Sequence, residues 1–178
     1  MRLTTFALIA ATTLGLASPA LAGYRDTSKP IGVVTNLNLQ KYLGKWYEIA
    51  RYPNWFEKNC EGVTAEYAMM DNGKVSVKNT CRKGAPDGPA KVALGEATPA
   101  APGKLEVTFT PWLPFAKGDY WVMYVDPAYS FAVVGNPKGS TGWILARSKM
   151  LSAAQLAKAK SVLKDAGYDL SELEMVQH

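Results

Sequence analysis

The residue types that enzymes most often use for catalysis are scarce in this chain. Its one histidine is His178, which offers no Ser–His–Asp arrangement. Its two cysteines, Cys60 and Cys81, lack the Cys/His spacing of a metal site, and no glycine-rich phosphate loop occurs. Glu48 and Asp126 are the remaining candidate acids or bases, although Asp126 falls in a turn signal. These features favour a binding protein with no catalytic, metal or cofactor site.

The charge pattern argues against nucleic acid as a partner. The formal net charge is +5, but the lysines are spread along the chain. A nucleic-acid face needs basic residues clustered on one surface. The lysines therefore indicate a solvated surface, and no nucleic-acid partner is expected.

The first residues have the pattern of a secretory signal. Arg2 precedes an apolar stretch, and Ala20 to Ala22 form a small-residue cleavage site. The stretch is too short for a membrane span. The sequence predicts a signal peptide at 1–22 and one domain at 23–178, soluble in a periplasm or outside the cell. Because Gly23 stands where a lipoprotein has its cysteine, a lipid anchor is not expected.

The rest of the chain must supply the elements that position a binding site. Short segments of alternating apolar and polar residues are separated by turn signals. They predict strands at about 45–52, 63–69, 75–81, 91–97, 105–110, 120–126, 129–135 and 143–147. Ser152 and Gln155 then begin a helix that Gly167 ends. This pattern predicts an all-β fold, an eight-stranded antiparallel up-and-down β-barrel with a C-terminal α-helix packed outside.

The two cysteines lie at the open ends of the first predicted hairpin. Two cysteines in an exported chain favour a disulfide between Cys60 and Cys81. Strict pairing across the turn leaves them out of register, so the bridge requires a bulge near Glu61 and Gly62. Two buried free thiols are the alternative.

Alternating strand direction also predicts how one end of the barrel is closed. Trp46 begins the first strand and Arg147 ends the eighth, so both fall at the same end. A guanidinium there can stack on the indole and donate to nearby backbone carbonyls. Gly44, Asp126 and Tyr129 fall at this end too, and all five are interpreted as structural.

The same alternation selects candidate ligand-binding residues. Side chains that share the face of the predicted interior are apolar or aromatic with a few polar tips. The candidates are Tyr67, Asn79, Tyr120, Val122, Tyr124, Trp143 and Leu145. Such a lining suits a small hydrophobic ligand with one polar head, whereas a solid core of the same side chains is the alternative.

A loop with large apolar residues is predicted at the opposite, open end. Trp112, Leu113 and Phe115 lie between the fifth and sixth strands. An exposed apolar cluster of this kind often marks a contact site, so transient contact with a membrane surface is one interpretation. A loop folded over its own barrel is the other.

Three segments in this order resemble the lipocalin family, in particular its bacterial, apolipoprotein D-like branch. Gly44 to Arg51 resembles the first lipocalin signature, and Asp126 to Tyr129 the second, with Val125 where threonine is usual. Trp143 to Arg147 resembles the third, including its arginine. The resemblance extends over the mature chain.

The resemblance implies a protein that binds, transports or stores small hydrophobic ligands in the cell envelope. Fatty acids and lysophospholipids are the ligands implied for the bacterial branch. By position, the resemblance assigns to the cavity lining Tyr67, Asn79, Tyr120, Trp143 and Leu145. A barrel enzyme or a chaperone-like factor acting on a lipid or isoprenoid is the alternative function.

Overall fold

A computed structural model describes residues 23–113 and 115–178. The expected signal peptide lies outside the described residues, as does Pro114. Nine strands are β1 (Gly44–Arg51), β2 (Cys60–Met69), β3 (Val75–Lys83), β4 (Ala90–Ala101), β5 (Lys104–Thr108), β6 (Gly118–Val125), β7 (Phe131–Gly135), β8 (Gly142–Ala146) and β9 (Glu174–Met175). Two helices are α1 (Leu39–Tyr42) and α2 (Ala153–Asp165), and 3₁₀ turns span Trp55–Glu57 and Leu170–Glu172.

The first eight strands form a closed antiparallel barrel. Each of them pairs with the next along the chain, and β1 pairs with both β2 and β8. The predicted eight-stranded up-and-down barrel with one C-terminal helix outside is therefore confirmed. The upper part of β1 also pairs with β9, at Ala50 and Arg51. Closure gives most strand segments a partner on both sides, which limits unwanted pairing with other chains.

Several strand boundaries differ from the prediction by a few residues, and two of these differences come from a local turn or irregularity. β4 continues through Pro99 to Ala101, since the pairing with β5 shifts at this point and accommodates a residue without an N–H. β7 begins at Phe131 and not at Tyr129, because Asp126 holds the preceding turn. The Asp126 carboxylate accepts hydrogen bonds from the backbone N–H groups of Ser130 and Phe131.

Irregular pairing in β6 changes which side chains face the interior. The register with β7 shifts between Val122 and Tyr124, so both Met123 and Tyr124 lie on the outer side. Tyr124 contacts Phe131 at 5.3 Å between ring centroids, and the Lys158 ammonium lies 5.3 Å from its ring. The prediction that Tyr124 faces inward is therefore wrong, because strict alternation fails at a bulge.

The predicted disulfide is confirmed, together with the bulge that it requires. Cys60 and Cys81 are bonded with their Cα atoms 5.1 Å apart. The β2–β3 register shifts between Glu61 and Thr64, where the sequence analysis places the bulge. The extra residue brings the two cysteines into bonding range at the open end of the barrel.

Helix α2 covers one side of the barrel. Ser152 and Gln155 form the predicted capping box. The helix contacts β7 and β6, and its buried Leu163 and Ala159 belong to one apolar cluster with outward-facing side chains of the barrel wall, among them Val133 and Ile144. The inward-facing side chains form a second, separate apolar cluster inside the barrel. Among the residues that the structure describes, no helix is long and apolar enough to cross a membrane.

One end of the barrel is closed by Trp46 and Arg147. Trp46 is fully buried, and the Arg147 guanidinium lies 3.7 Å from its ring centroid. The guanidinium also donates to the backbone oxygens of Lys41, Leu43 and Lys45, at 2.7 to 2.8 Å. The alternating strand directions predict that Trp46 and Arg147 lie together at this end. The turn into β1 passes through Gly44 with a φ of +88°, a conformation that side chains disfavour.

Candidate ligand-binding site

The barrel interior is sealed in its lower half and open to solvent above. At the closed end the inward side chains of Trp46, Val122 and Leu145 are at most 3% exposed. Higher up, the inward residues are only partly buried, and these are Tyr67, Asn79, Tyr120 and Trp143. The upper half of the interior is therefore its less fully buried part, and we call it the upper chamber.

Small residues on β2 and β4 border the upper chamber. Asn79 on β3 pairs with Ala65 on one side and Ala93 on the other, so the three side chains share one face. The next inward position on β4 is Gly95, where an added Cβ would lie 2.6 Å from the Thr108 backbone oxygen and 2.8 Å from the Phe109 ring. A side chain at this position would clash with the backbone of β5, so glycine permits the close approach.

Asn79 places an unused hydrogen-bond acceptor in this wall. Its Oδ1 is buried and accepts no hydrogen bond from the residues that the structure describes. A buried amide oxygen without a donor is costly, on the order of 1–3 kcal/mol. A ligand hydroxyl or N–H group, or a water molecule, would satisfy it.

Tyrosine hydroxyl groups form a second polar feature below the upper chamber. The Tyr120 hydroxyl lies 2.8 Å from that of Tyr42 and 3.0 Å from that of Tyr67. Burial raises the pKa of Tyr67 to about 12 and that of Tyr120 well above its ordinary value. The three phenols therefore stay neutral and can act as both donors and acceptors.

An aromatic stack connects the closed end to the mouth. Successive ring centroids lie 4.9 Å apart for Trp46 and Tyr42, 5.8 Å for Tyr42 and Tyr67, 6.2 Å for Tyr67 and Tyr120, and 6.5 Å for Tyr120 and Trp143. These rings run along one side of the interior. Trp46 and Tyr42 are at most 3% exposed, so only Tyr67, Tyr120 and Trp143 present partly exposed apolar faces toward the mouth.

A buried charged cluster lies at the upper end of β1. The Arg51 guanidinium donates to the Glu48 carboxylate at 3.1 Å and to the Cys60 backbone oxygen at 3.0 Å. Glu57, in the 3₁₀ turn, accepts from the Trp143 indole at 3.2 Å and from the Asn54 amide. Burial, and after it the charge of Glu57, raises the pKa of Glu48 well above its ordinary value, while Arg51 lowers it.

The sequence analysis did not identify Arg51 and Glu57 as inward-facing. A bulge between Glu48 and Ala50 turns Arg51 back toward the interior. Glu57 is three residues after Asn54, whose side chain accepts from the Glu57 N–H. An asparagine followed three residues later by a glutamate is a signal for a short helical turn, and it was available in the sequence.

The predicted site residues separate into three groups. Those that border the upper chamber are Tyr67, Asn79, Tyr120 and Trp143. Val122 and Leu145 face inward but belong to the sealed lower half. Tyr124 lies outside the barrel wall, as described above.

Exposed aromatic residues gather at the open end. Trp112, Leu113 and Phe115 in the β5–β6 loop are 74%, 37% and 82% exposed. The 3₁₀ turn after β1 adds Trp55 and Phe56, 88% and 42% exposed, which the sequence analysis did not single out. We call these five residues the mouth cluster. The β5–β6 loop therefore presents its apolar side chains to solvent.

Two depressions lie on the outer surface of the barrel. One, of about 550 Å³, is at the closed end beside Tyr129 and Arg147. The other, of about 500 Å³, lies over the outer faces of β1 to β3, beside Thr64 and Thr80. In residues 23–113 and 115–178, no group of three or more acidic, histidine or cysteine side chains is placed to hold a metal ion.

Sequence comparisons place this chain among proteins of one family. The model of the lipocalin-like domain matches residues 37–178. Temperature-induced lipocalin-1 of Arabidopsis thaliana is 35% identical over 151 residues, covering 82% of this chain and 81% of the relative. Outer membrane lipoprotein Blc of Vibrio cholerae is 35% identical over 168 residues, covering 91% and 95%. Apolipoprotein D of Mus musculus is 34% identical over 152 residues, covering 79% and 77%.

Solved structures share the same fold. Insecticyanin from the tobacco hornworm Manduca sexta superposes with a TM-score of 0.66 at 24% identity, covering 88% of this chain and 87% of that one. Lobster apocrustacyanin A1 gives a TM-score of 0.64 at 21% identity, covering 79% of each chain. The matched domain and the full-length relatives, together with the closed barrel, show that the chain belongs to the lipocalin family, whose members bind small hydrophobic ligands.

Proposed function

We propose that this protein binds single-chain lipids, fatty acids or lysophospholipids, and transports or stores them in the cell envelope. The chain of the lipid would lie along the aromatic stack, with its polar head near the mouth. The observation that carries this proposal is the upper chamber itself. Its wall combines small residues, aromatic faces and the unsatisfied Oδ1 of Asn79.

Two observations support a location in the cell envelope. Relatives named as outer membrane lipoproteins occur in Vibrio cholerae and Escherichia coli. The predicted signal peptide at 1–22 would send this chain to the same compartment. The form released after processing is proposed to be soluble, and intact-mass measurement of the protein from its own host would show whether lipid is attached.

Filling the upper chamber is expected to weaken lipid binding. Ala93 points into the upper chamber and is exposed, so Ala93→Leu adds volume there without crowding the core. The lost space is expected to weaken the binding of laurate and of lauroyl lysophosphatidylcholine about tenfold. Quenching of tryptophan fluorescence measures the affinity.

Ala68→Leu is the matched control. Ala68 lies on β2 one position beyond Tyr67, faces outward and is exposed. It is expected to leave both affinities unchanged. If the native protein binds neither lipid, the interior is a solid core and the proposed function is wrong.

Transient contact with a membrane surface is the second part of the proposal. The mouth cluster lies at the open end, where a lipid would enter, and the exposed Lys58 and Lys138 lie at the same end. Apolar side chains flanked by cations suit a bilayer that contains anionic lipid. Contact there would let a lipid pass into the upper chamber without crossing water.

Loss of the mouth aromatics is expected to abolish this contact. The double variant Trp112→Ser and Phe115→Ser removes two side chains that would each contribute about 1.5 kcal/mol or more when buried in lipid. Binding to vesicles with anionic lipid, measured by co-sedimentation, is expected to fall at least tenfold. Leu94→Ser, at a 69% exposed position on the barrel wall, is expected to change nothing. Equal binding by all three proteins would remove the membrane part of the proposal.

A further inference from the structure

The depression over the outer faces of β1 to β3 has a floor of hydroxyl-bearing side chains. Tyr47 on β1 pairs with Thr64 on β2, which pairs with Thr80 on β3, so the three side chains share the outer face. The depression has a volume of about 500 Å³, which is typical of sites for small molecules. It lies outside the barrel wall and is therefore separate from the upper chamber.

Two segments form the sides of this depression. On one side the last residues of the chain are held against β2, where the Gly62 N–H donates to the Gln177 backbone oxygen at 2.7 Å, and His178 contacts the Tyr47 ring edge-on. On the other side is the loop after β3. Gly62 has a φ of +54°, and a Cβ there would lie 3.1 Å from the Pro86 backbone oxygen. Glycine therefore lets this loop approach β2 closely and form a wall.

The lining of the depression carries a net positive charge. Its charged side chains are Lys45, Lys78, Arg82 and Lys149, with Glu66 as the acidic one. Lys78 forms an ion pair with Glu66 at 3.4 Å. The other three cations form no ion pair with the part of the chain that the structure describes. A carboxylate at the chain end, His178, would offset one of these charges, and the site would still be positive.

Thr64 places an unsatisfied hydroxyl group in the floor. The residue is only 7% exposed, yet its hydroxyl forms no hydrogen bond with residues 23–113 or 115–178. A buried hydroxyl without a partner is unfavourable, so it points to a ligand that supplies one. Since the nearby charges are positive, an anionic oxygen is the acceptor that suits this donor best.

We propose that this depression binds a small soluble molecule that carries a phosphate group. The phosphate oxygens accept hydrogen bonds from the Thr64 hydroxyl and the Arg82 guanidinium, while Lys45 and Lys149 balance the charge. The volume exceeds what one phosphate ion fills, and Val92 adds a 48% exposed apolar side chain to the lining. An organic group attached to the phosphate would occupy that part. This second site does not depend on the lipid-binding function proposed above.

The position of the depression favours a soluble ligand over a lipid head group. Lys45 begins β1 and Lys149 follows β8, so both lie at the closed end of the barrel. The mouth cluster lies at the opposite end. Eight residues of β1 at about 3.4 Å each give a strand of roughly 25 Å, more than two Debye lengths at physiological salt. A bilayer that contacts the mouth cluster therefore does not reach these lysines.

Phenyl phosphate is the probe that tests this site, because it joins a phosphate to a flat apolar ring. It is titrated into ¹⁵N-labelled protein and followed by NMR, with phenol as the uncharged comparison. Phenyl phosphate is expected to shift the amide signals of Thr64 and Thr80 and to bind at least tenfold more tightly than phenol. Because the lysines are exposed, added salt is expected to weaken its binding.

Thr64→Val tests the buried hydroxyl. Valine keeps the shape of threonine and suits a strand, so the barrel is expected to fold normally. Loss of the hydroxyl donor is expected to weaken phenyl phosphate binding about fivefold. Thr98→Val, at an exposed position on β4 outside the depression, is the matched control and is expected to leave binding unchanged.

A double variant tests the positive charge. Lys45→Gln with Lys149→Gln removes two exposed charges from the lining and is expected to weaken phenyl phosphate binding at least fivefold. Lys158→Gln with Lys164→Gln makes the same change in net charge on α2 and is expected to have no effect.

The outcomes separate a built site from general attraction to a basic protein. Absence of phenyl phosphate binding, or equal binding by Thr64→Val and the native protein, would overturn the proposal. If phenyl phosphate does not bind and the Lys45 and Lys149 variant instead loses co-sedimentation with anionic vesicles, the depression takes lipid head groups and the soluble-ligand proposal is wrong. Laurate binding in the upper chamber is expected to be the same in all these variants.

Discussion

Trp46→Ala is expected to lower the free energy of unfolding by about 4 kcal/mol, as large-to-small changes of buried aromatic residues typically do. The side chain is fully buried, and its indole donates to the Tyr42 backbone oxygen at 2.7 Å. The Arg147 guanidinium stacks on the Trp46 ring and would lose this contact. Chemical unfolding followed by circular dichroism measures the loss.

Trp55→Ala is the control for this substitution. Trp55 is the same residue type at the opposite end of the barrel and is 88% exposed. Its removal is expected to change the unfolding free energy by less than about 0.5 kcal/mol, as for most surface substitutions. Similar losses for the two variants would contradict a closing role for Trp46.

Arg51→Met is expected to cost about 3 kcal/mol at pH 8, because it leaves buried carboxyl groups without their only guanidinium. The Arg51 and Glu48 side chains are 8% and 5% exposed, so water cannot replace the lost interaction. Methionine fills much of the volume of arginine. The loss is therefore expected to come from charge and not from a cavity.

The same variant is expected to be much less destabilised in acid. An ordinary glutamate has a pKa of about 4.3, and that of Glu48 is raised in the folded protein. The stabilisation that comes from protonated Glu48 is thus complete below a pH of about 4.3, and it is lost as the pH rises through the raised pKa of Glu48. Without Arg51 that pKa rises further, which makes the decrease in stability larger.

Unfolding midpoints in urea at pH 4.5 and pH 8 measure this difference. Lys78→Met, which removes an exposed partner of Glu66 at 3.4 Å, is the control and is expected to cost less than about 1 kcal/mol at either pH. An equal loss for Arg51→Met at both pH values would show that packing, not charge, accounts for its effect.

Alternation and turn chemistry predict most of this fold. The strand order, the α2 capping box, the disulfide with its bulge and the meeting of Trp46 with Arg147 all follow from local patterns and from parity. The alternation of inward and outward side chains along a strand fails only where a bulge adds a residue. At Tyr124 this places a predicted lining residue outside the barrel, because nothing in the sequence of β6 marks the bulge.

The candidate site is less predictable than the barrel around it. Tyr67, Asn79, Tyr120 and Trp143 border the upper chamber because regular pairing carries their parity through the sheet. Glu57 comes from a turn, where parity has no meaning, and its burial depends on a contact with Trp143, 86 residues away. Contacts between turns and distant strands are set by the closed barrel, so a local pattern cannot reveal them.

The contact that closes the barrel has a consequence for how the chain folds. Arg147 reaches the backbone oxygen of Lys45 across a separation of 102 residues. The ring of strands cannot be completed until almost the whole domain has left the ribosome. Until then β1 presents an unpaired edge, and folding is expected to be slow because its final step joins such distant residues. The growing chain is therefore expected to be most prone to aggregation before its eighth strand emerges.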